Sequence, residues 1–336
     1  MLCRASVLSG RMEELPLFTR RRFLASSAIL AATPAMLRAQ AAKPLYPQRN
    51  LPFHLAVIND EIGTDFETTC KVAAVDFGLK YIEIRSIGKT NIASATDAEL
   101  ADAKNILAKY SLTVTDLASP LFKVDFPGEK RADGHAEKNP PADTFAAQAD
   151  ELEKLIHAAK SLGTTRIRCF DFWKLEDETK ARPVINEQLR KASARLAKEN
   201  MILLLENEQS CNTSTGAQSA KVLAAVTNPN FMLNWDPGNA AESGEVPFPY
   251  GYSLLPKNRI GHVHCKDAMK MPDGKIGWAP VGGGMIDWKG QIEALVKMKY
   301  SNALSLETHW KSGEGPEDST RKSMAGLQKI LAEVAG

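Results

Sequence analysis

The sequence of 336 residues has almost no excess charge of either sign, with 42 Lys and Arg residues against 40 Asp and Glu residues. The first 41 residues contain six arginines and two glutamates, so the remaining chain has 36 basic and 38 acidic residues. Proteins that bind nucleic acids or anionic membrane surfaces usually carry a marked positive excess. The near balance argues against both kinds of partner.

Cysteine is scarce. Four cysteines follow residue 41, namely Cys70, Cys169, Cys211 and Cys265, and no CxxC pair occurs. A disulfide framework usually shows many closely spaced cysteines in a short chain, which this sequence lacks. We therefore expect buried thiols and a fold that does not depend on disulfides.

The sequence has no apolar run long enough to span a bilayer, since the most apolar N-terminal stretch covers only Ala25 to Leu37. The run Thr19 to Leu24, "TRRRFL", precedes it and resembles the twin-arginine export pattern, and Ala39-Gln40-Ala41 offers a cleavage site. We therefore interpret residues 1–41 as a twin-arginine signal peptide, with Met12 as an alternative start. This implies recognition by the twin-arginine machinery, export in the folded state, a periplasmic location and no stable membrane insertion after cleavage.

From residue 54 onward, short apolar runs alternate with longer segments of helical periodicity. Such an alternation is typical of parallel strands joined by helical crossovers. No GxGxxG motif follows the first run, which argues against a doubly wound dinucleotide-binding sheet. Eight strand–helix units predict a single (β/α)8 TIM barrel over residues 42–336. The predicted strands are residues 54–59, 80–85, 112–117, 166–171, 202–207, 231–236, 260–265 and 303–308.

Two of the connections are too long to be simple turns. Ser119 to Ala142 follows the third predicted strand, and Lys266 to Asp287 follows the seventh. Both leave the carboxyl ends of strands, where barrel active sites lie, and we expect both to form lids. A disordered surface loop remains the alternative for residues 128–140.

Each of the last four strands ends in a side chain that can bind a metal ion. These residues are Glu206, Asp236, His264 and Glu307. Neighbouring strands lie about 4.8 Å apart, so the four side chains can reach a common point. Three carboxylates this close would repel one another, and one divalent cation (Mn²⁺, Mg²⁺, Co²⁺ or Zn²⁺) would remove that repulsion. Taken singly, the same residues could form a turn at Asp236, an ion pair at Glu206 and a helix cap at Glu307.

The segments "LLLENE", "LNWDPGN", "GHVHCKDA", "PVGGGMIDW" and "LSLETHW" resemble those of the xylose isomerase-like TIM-barrel superfamily. The similarity extends over residues 52–335 and is strongest to proteins described as sugar phosphate isomerases or epimerases. It implies that Glu206, Asp236, His264 and Glu307 hold one divalent ion. It also implies that His262 lies one layer deeper, where it contacts substrate or supports the metal ligands.

The implied chemistry is sugar isomerisation or epimerisation. A metal bound to a sugar carbonyl acidifies the neighbouring C–H by stabilising an enediolate. Glu206 and Glu307 would remove the proton and return it to the other face or to the adjacent carbon. The sequence departs from the ketose epimerases at Asn239 and Lys270, where they have a histidine and an arginine.

Several further side chains are candidates for contact with a small carbohydrate substrate. Glu83 and Arg85 alternate toward one side of the second strand, and the aromatic residues Phe122, Trp173, Trp278 and Trp310 could stack on a sugar face. The full set of predicted substrate-binding residues is His262, Asn239, Lys266, Glu83, Arg85 and Trp310.

Three other functions fit parts of the sequence. A metal-dependent lyase could use the same residues to expel the aglycone of a 3-keto glycoside, and its product would be a free aglycone. A non-catalytic sugar-binding protein would bind sugar without turnover. A three-zinc apurinic endonuclease requires more histidines at strand ends, whereas His54, His135 and His157 lie elsewhere in the sequence.

Overall fold

Eight parallel strands wind around a common axis in the computed structural model, which describes residues 51–134 and 141–335. The strands are β1 (His54–Val57), β2 (Tyr81–Ile84), β3 (Thr113–Leu117), β4 (Arg166–Cys169), β5 (Ile202–Glu206), β6 (Phe231–Trp235), β7 (Ile260–Cys265) and β8 (Ala303–Leu306). Each pairs with its neighbour in sequence from β2 to β8, and β8 pairs with β1. A parallel bridge between Ile58 and Glu83 joins β1 to β2 and nearly closes the barrel. The predicted (β/α)8 barrel and its eight strands are confirmed.

Helices cover the outside of the barrel. They are α1 (Phe66–Lys71), α2 (Asp97–Lys109), α3 (Pro141–Leu162), α4 (Arg182–Ala197), α5 (Gly216–Ala225), α6 (Pro237–Glu242), α7 (Trp288–Lys297) and α8 (Pro316–Val334). Capping boxes start α2, with Thr96 and Glu99, and α5, with Thr215 and Gln218. These reciprocal bonds satisfy N–H groups that have no partner within the helix, so the sequence itself sets where both helices begin.

The strands are buried on both faces, as expected for a parallel barrel covered by helices. Outward-facing apolar residues pack against the helices, and the inner face carries an unusual number of polar side chains. The fully buried inner residues include Glu83, Asp116, Asn234, His262 and Ser305. Buried polar groups lower stability unless they are paired, so this interior indicates a functional requirement.

Both long loops follow strand ends, as predicted, but each has structure that the sequence analysis did not predict. In the first loop, Leu121, Phe122 and Phe126 are buried against the barrel. Residues 135–140 of the same loop lie outside the described residues. The second loop contains an antiparallel hairpin, Asp267–Lys270 paired with Ile276–Ala279.

A turn over residues 281–286 follows this hairpin and closes onto Asp267. The Asp267 carboxylate accepts backbone N–H bonds from Gly282 (2.9 Å), Gly284 (3.1 Å) and Ile286 (3.2 Å). A Cβ on Gly284 would lie 2.2 Å from Asp267 Oδ1. The "GGG" segment is thus a turn folded around one carboxylate, at a position where only glycine fits.

In the part of the chain that the structure describes, no helix is long and apolar enough to cross a membrane. The segment interpreted as a signal peptide, residues 1–41, lies outside the described residues.

Candidate metal and active site

Glu206, Asp236, His264 and Glu307 meet at the carboxyl ends of β5 to β8, and we call them the carboxylate–histidine cluster. His264 Nδ1 lies 3.1 Å from Glu206 Oε1, 3.3 Å from Glu307 Oε2 and 3.7 Å from Asp236 Oδ2. One ligand atom from each residue lies within 4.8 Å of all the others. Metal–ligand bonds to nitrogen and oxygen are about 2.0–2.6 Å long, so one cation can reach all four atoms.

Asp236 acts both as a helix cap and as a member of this cluster. It follows β6, and its Oδ1 accepts the N–H of Asn239 at 2.9 Å, which caps α6. Its Oδ2 is buried and makes no aligned hydrogen bond, although Lys266 Nζ lies 3.0 Å away. Asp236 can therefore both cap the turn and bind a metal ion, because the cap uses Oδ1 and the metal would use Oδ2.

Behind the cluster lies an inner layer formed by Glu83, Asp116 and His262, all fully buried. Glu83 Oε1 is 3.1 Å from His264 Nε2, and Glu83 Oε2 is 3.2 Å from His262 Nε2. His262 Nδ1 lies 3.4 Å from Asp116 Oδ1. The sequence placed Glu83 among substrate contacts, whereas the structure puts it on the inner side of His264, where it orients the ring. A carboxylate behind a ligating histidine commonly fixes the tautomer of that histidine.

Buried cations border the cluster. Arg168, which the sequence analysis missed, donates to Glu206 Oε2 at 2.9 Å and to the carbonyls of Ala118 and Ser119. Lys266 is fully buried, and its ammonium donates to Glu307 Oε2 at 2.6 Å. Arg85 donates to Glu307 Oε1 at 3.0 Å, as well as to Asp60 and Glu61.

These contacts determine the protonation of the carboxylates. Burial alone would raise the pKa of Glu206, but His264 and Arg168 outweigh it and lower that pKa to about 2. Burial also opposes ionisation of Glu307, yet Lys266 holds its pKa well below the ordinary value. The ring of His264 shows the reverse effect: Glu83, Glu206 and Glu307 outweigh burial and raise its pKa well above the ordinary value. Glu206 and Glu307 are therefore ionised and attract positive charge.

The ligand atoms of the cluster fit one divalent ion. Four carboxylates, Glu83, Glu206, Asp236 and Glu307, surround His264, and the buried cations beside them are Lys266 and Arg168. A divalent cation would reduce the repulsion among these carboxylates, and the set of three oxygens and one imidazole nitrogen suits Mn²⁺, Mg²⁺, Co²⁺ or Zn²⁺.

Asn239 and Gly238 support the cluster from α6. Asn239 Nδ2 donates to Glu206 Oε1 at 3.2 Å and to the Asn207 carbonyl at 2.9 Å. Asn239 is buried and holds Glu206, while the sequence analysis expected it to contact substrate. A Cβ on Gly238 would lie 2.3 Å from Lys266 Cγ, so the lysine stem passes directly over this glycine.

A cavity of about 690 Å³ lies beside Glu307, and we call it the side cavity. Two predicted substrate contacts, Arg85 and Trp310, line it. Trp278 also lines it, whereas Phe122 is buried against Phe172 and belongs to the core. Trp173 packs against Arg131 and Lys123, away from this cavity.

His309 is a second residue at this site that the sequence analysis did not single out. It lines the side cavity, and its Nε2 lies 3.3 Å from Glu307 Oε1. Its backbone has a positive φ of 44°, an uncommon conformation for a residue other than glycine. His309 follows Glu307 by two residues in the sequence, and this spacing could have indicated that its side chain lies near the cluster.

A sequence model of the family described as "Xylose isomerase-like TIM barrel" matches residues 72–330. The chain belongs to this family. The fold and the order of the strands agree with the resemblance found in the sequence. A comparison with curated proteins found no match.

Solved structures share the fold at low sequence identity. The probable 3-DHS dehydratase AsbF from Bacillus anthracis is 19% identical, with a TM-score of 0.65 over 83% of this chain and 99% of that chain. A xylose isomerase-like TIM barrel protein from Mycobacterium smegmatis in complex with magnesium is 14% identical (TM-score 0.64, 84% and 98%). The D-allulose 3-epimerase from Methylomonas sp. in complex with D-allulose is 16% identical (TM-score 0.61, 85% and 98%).

Proposed function

We propose that the chain is an exported, divalent-metal-dependent sugar isomerase or epimerase. The observation that carries this proposal is the convergence of Glu206, Asp236, His264 and Glu307, whose ligand atoms lie within 4.8 Å of one another. Solved structures with the same fold include one in complex with magnesium and one in complex with D-allulose, which supports a metal ion and a carbohydrate substrate. Export by the twin-arginine route and a periplasmic location follow from residues 19–41 of the sequence.

Glu206 and Glu307 are the two outer members of the cluster, separated by β6 and β7. A divalent ion held by the cluster would polarise a sugar carbonyl and acidify the adjacent C–H. One glutamate would accept that proton, and the other, after taking up a proton from solvent, would deliver it to the opposite face or to the neighbouring carbon. The first delivery gives epimerisation, and the second gives aldose–ketose isomerisation.

The two glutamates are held differently. Glu206 is bound by Arg168, which is itself fixed to two backbone carbonyls, and by Asn239. Glu307 is bound by Lys266 and Arg85, and Arg85 borders the side cavity. Lys266 has a flexible stem and a compact charge, so it can turn from the carboxylate toward a substrate oxygen more readily than Arg168 can. We therefore assign Glu307 to the side on which substrate enters.

A metal-dependent lyase is the second candidate, and the side cavity favours it. Elimination from a 3-keto glycoside requires room for an aglycone next to the carbon that loses its proton. A cavity of about 690 Å³ whose lining residues Arg85 and His309 contact Glu307 provides that room. A non-catalytic sugar-binding protein is the remaining alternative.

The test uses the purified mature chain with Mn²⁺ in D₂O. Ketoses, aldoses and 3-keto glycosides are incubated with it and followed by NMR. We expect deuterium on the carbon next to the carbonyl, and the product separates an isomeric sugar from a free aglycone. Glu206→Gln and Glu307→Gln should each lower turnover about 10²–10⁴-fold, the usual contribution of a positioned base.

Glu245→Gln is the matched control, because Glu245 is half-buried and binds the N–H groups that begin α5, outside the cluster. It should retain wild-type turnover. Sugar binding without any exchange or product would establish a binding protein instead. Turnover at the wild-type rate in both cluster variants would exclude the two-carboxylate mechanism.

A further inference from the structure

The side cavity has the size of a pocket for a small ligand. Its volume of about 690 Å³ lies in the middle of the range, about 300–1,000 Å³, of pockets that bury drug-sized ligands. Its walls come from four places in the chain: Asp60 and Glu61 after β1, Arg85 after β2, Trp278 on the hairpin, and the segment 308–319 after β8. Loops at the carboxyl ends of barrel strands are where substrate contacts are built.

The cavity begins one side chain away from the proposed reaction centre. Arg85 Nη1 and His309 Nε2 both line it, and they lie 3.0 Å and 3.3 Å from Glu307 Oε1. A sugar positioned between Glu206 and Glu307 would therefore present any substituent on its Glu307 side to this cavity.

Tryptophan is concentrated at this cavity. Trp235 and Trp288 are fully buried, and three others, Trp173, Trp278 and Trp310, are half-buried. Two of those three line the cavity. A half-exposed indole in a pocket offers a flat apolar face on which a sugar ring or an aromatic ring can stack.

The wall around these rings is held in place. Trp278 packs edge-on against His309, with ring centroids 5.3 Å apart. The N–H of His309 donates to Glu61 Oε2 at 3.3 Å, which supports the positive φ of this residue. Strained backbone that is fixed by neighbouring contacts occurs preferentially at ligand-binding sites.

The charged groups in the wall nearly balance. Arg85 pairs with Asp60 at 2.8 Å and with Glu61 at 2.7 Å, and Lys311 supplies the second cation. A cavity with balanced charge suits a neutral ligand that accepts and donates hydrogen bonds, not a phosphorylated one.

We propose that the side cavity is a subsite for a neutral second ring, joined through one oxygen to the sugar that reacts at the carboxylate–histidine cluster. The inference rests on the proposed carbohydrate function and makes the substrate a reducing disaccharide or a 3-keto glycoside rather than a single sugar, because both keep the carbonyl that the reaction needs. The second ring stacks on Trp310 and Trp278, and Arg85 and Ser319 supply polar contacts at its edge.

The experiment compares the mature Mn²⁺-loaded protein with two variants, Trp310→Ala and Trp278→Ala, by titration calorimetry. The probes are monosaccharides and their 3-keto derivatives, the phenyl glycosides of these 3-keto sugars and the corresponding reducing disaccharides, in both anomeric forms. At least one glycoside or disaccharide should bind ten times more tightly than its parent monosaccharide. Each variant should lose about tenfold of that affinity and keep the affinity for the monosaccharide.

Trp173→Ala is the control, because Trp173 is the half-buried tryptophan that lies outside the cavity. This variant should change neither the affinity for the monosaccharide nor the affinity for the glycoside or disaccharide. Trp278 is on the hairpin and not in the barrel, so its removal leaves the core intact if Trp310→Ala fails to fold. Preference for phenyl glycosides over disaccharides would identify an aromatic aglycone, and the reverse a second sugar.

Two results would overturn the subsite: no glycoside or disaccharide binds more tightly than its monosaccharide, or the variants weaken monosaccharide binding equally. The proposed function is tested separately, by deuterium exchange into a monosaccharide or its 3-keto derivative. If deuterium exchanges but no glycoside or disaccharide binds more tightly than its monosaccharide, only the subsite proposal is wrong. If a glycoside or disaccharide binds tightly but no deuterium exchanges, only the catalytic proposal is wrong.

Discussion

Glu83 lies behind His264, because Glu83 Oε1 is 3.1 Å from His264 Nε2 whereas Nδ1 of the same ring faces the other residues of the carboxylate–histidine cluster. The carboxylate holds a proton on Nε2, so Nδ1 is the nitrogen that would release its proton and bind a metal ion. The arrangement assigns different tasks to the two nitrogens of one imidazole.

Replacing Glu83 with glutamine should weaken metal binding about 10–100-fold, the usual cost of losing a carboxylate behind a ligating histidine. The amide can donate to Nε2, which favours the tautomer with its proton on Nδ1, where the metal would bind. Calorimetric titration of Mn²⁺ into EDTA-treated protein measures the change. Glu151→Gln, a half-buried glutamate on α3, is the control and should bind Mn²⁺ like the wild type. Equal affinity in Glu83→Gln would show that Glu83 does not set the tautomer.

Lys266→Met should strengthen metal binding about tenfold or more. The Lys266 ammonium lies 2.6 Å from Glu307 Oε2 and 3.0 Å from Asp236 Oδ2, so it competes with a metal ion for these two ligands. Methionine keeps the apolar stem over Gly238 and removes the charge. Lys275→Met, on the exposed turn of the hairpin, serves as the control in the same Mn²⁺ titration. Weaker binding in Lys266→Met would mean that Lys266 holds the ligands in place for the metal.

Asp116→Asn should stabilise the protein more at neutral pH than at pH 4. Burial, and then Glu83, raise the pKa of Asp116 from 3.8 to about 6. The folded state therefore binds this proton more tightly than the unfolded state, and the associated stability is lost as the pH rises from about 4 to 6. Asparagine does not titrate, so its advantage should grow by about 1–3 kcal/mol over that window and then level off.

Urea unfolding of the metal-free protein at several pH values measures this difference between Asp116→Asn and the wild type. Asp102→Asn, on the exposed face of α2, is the control. A difference in unfolding free energy that stays constant from pH 4 to pH 7 would show that Asp116 does not titrate in this range.

Changing Arg20 and Arg21 together to lysine should leave the precursor in the cytoplasm, because the twin-arginine pattern requires both guanidinium groups. Fractionation of cells that express the full chain measures this. The single change Arg38→Lys, near the end of the same segment, should leave export intact. Unchanged export of the double variant would contradict the signal-peptide interpretation.

The barrel and the convergence of its four strand-end residues could be predicted because both follow from periodicity. Parallel strands bring their carboxyl ends to one rim, so the phase of Glu206, Asp236, His264 and Glu307 was enough to place them together. The alternation of residues along a strand shows which face a side chain is on, but it does not show how deep in the barrel that side chain lies. For this reason Glu83 was predicted to contact substrate, although it lies behind His264.

The residues that were missed had weaker signals. Arg168 and Asp116 are charged residues inside short strands, a sign of an inner polar contact whose partner cannot be identified without the fold. The hairpin in the second lid had a local signal in Asp273-Gly274, which lies between its two strands and favours a tight turn. The packing of Lys266 over Gly238 depends on contacts between distant segments, which the sequence pattern does not encode.

The four cysteines of the described residues are free and buried, at Cys70, Cys169, Cys211 and Cys265. Burial raises the pKa of each thiol, that of Cys70 to about 12, so almost no reactive thiolate forms near neutral pH. We therefore expect the fold of the barrel not to depend on whether its surroundings are reducing or oxidising. A chain built this way can complete its fold among reducing thiols and then remain unchanged in an oxidising compartment, without any isomerase to pair its sulfurs.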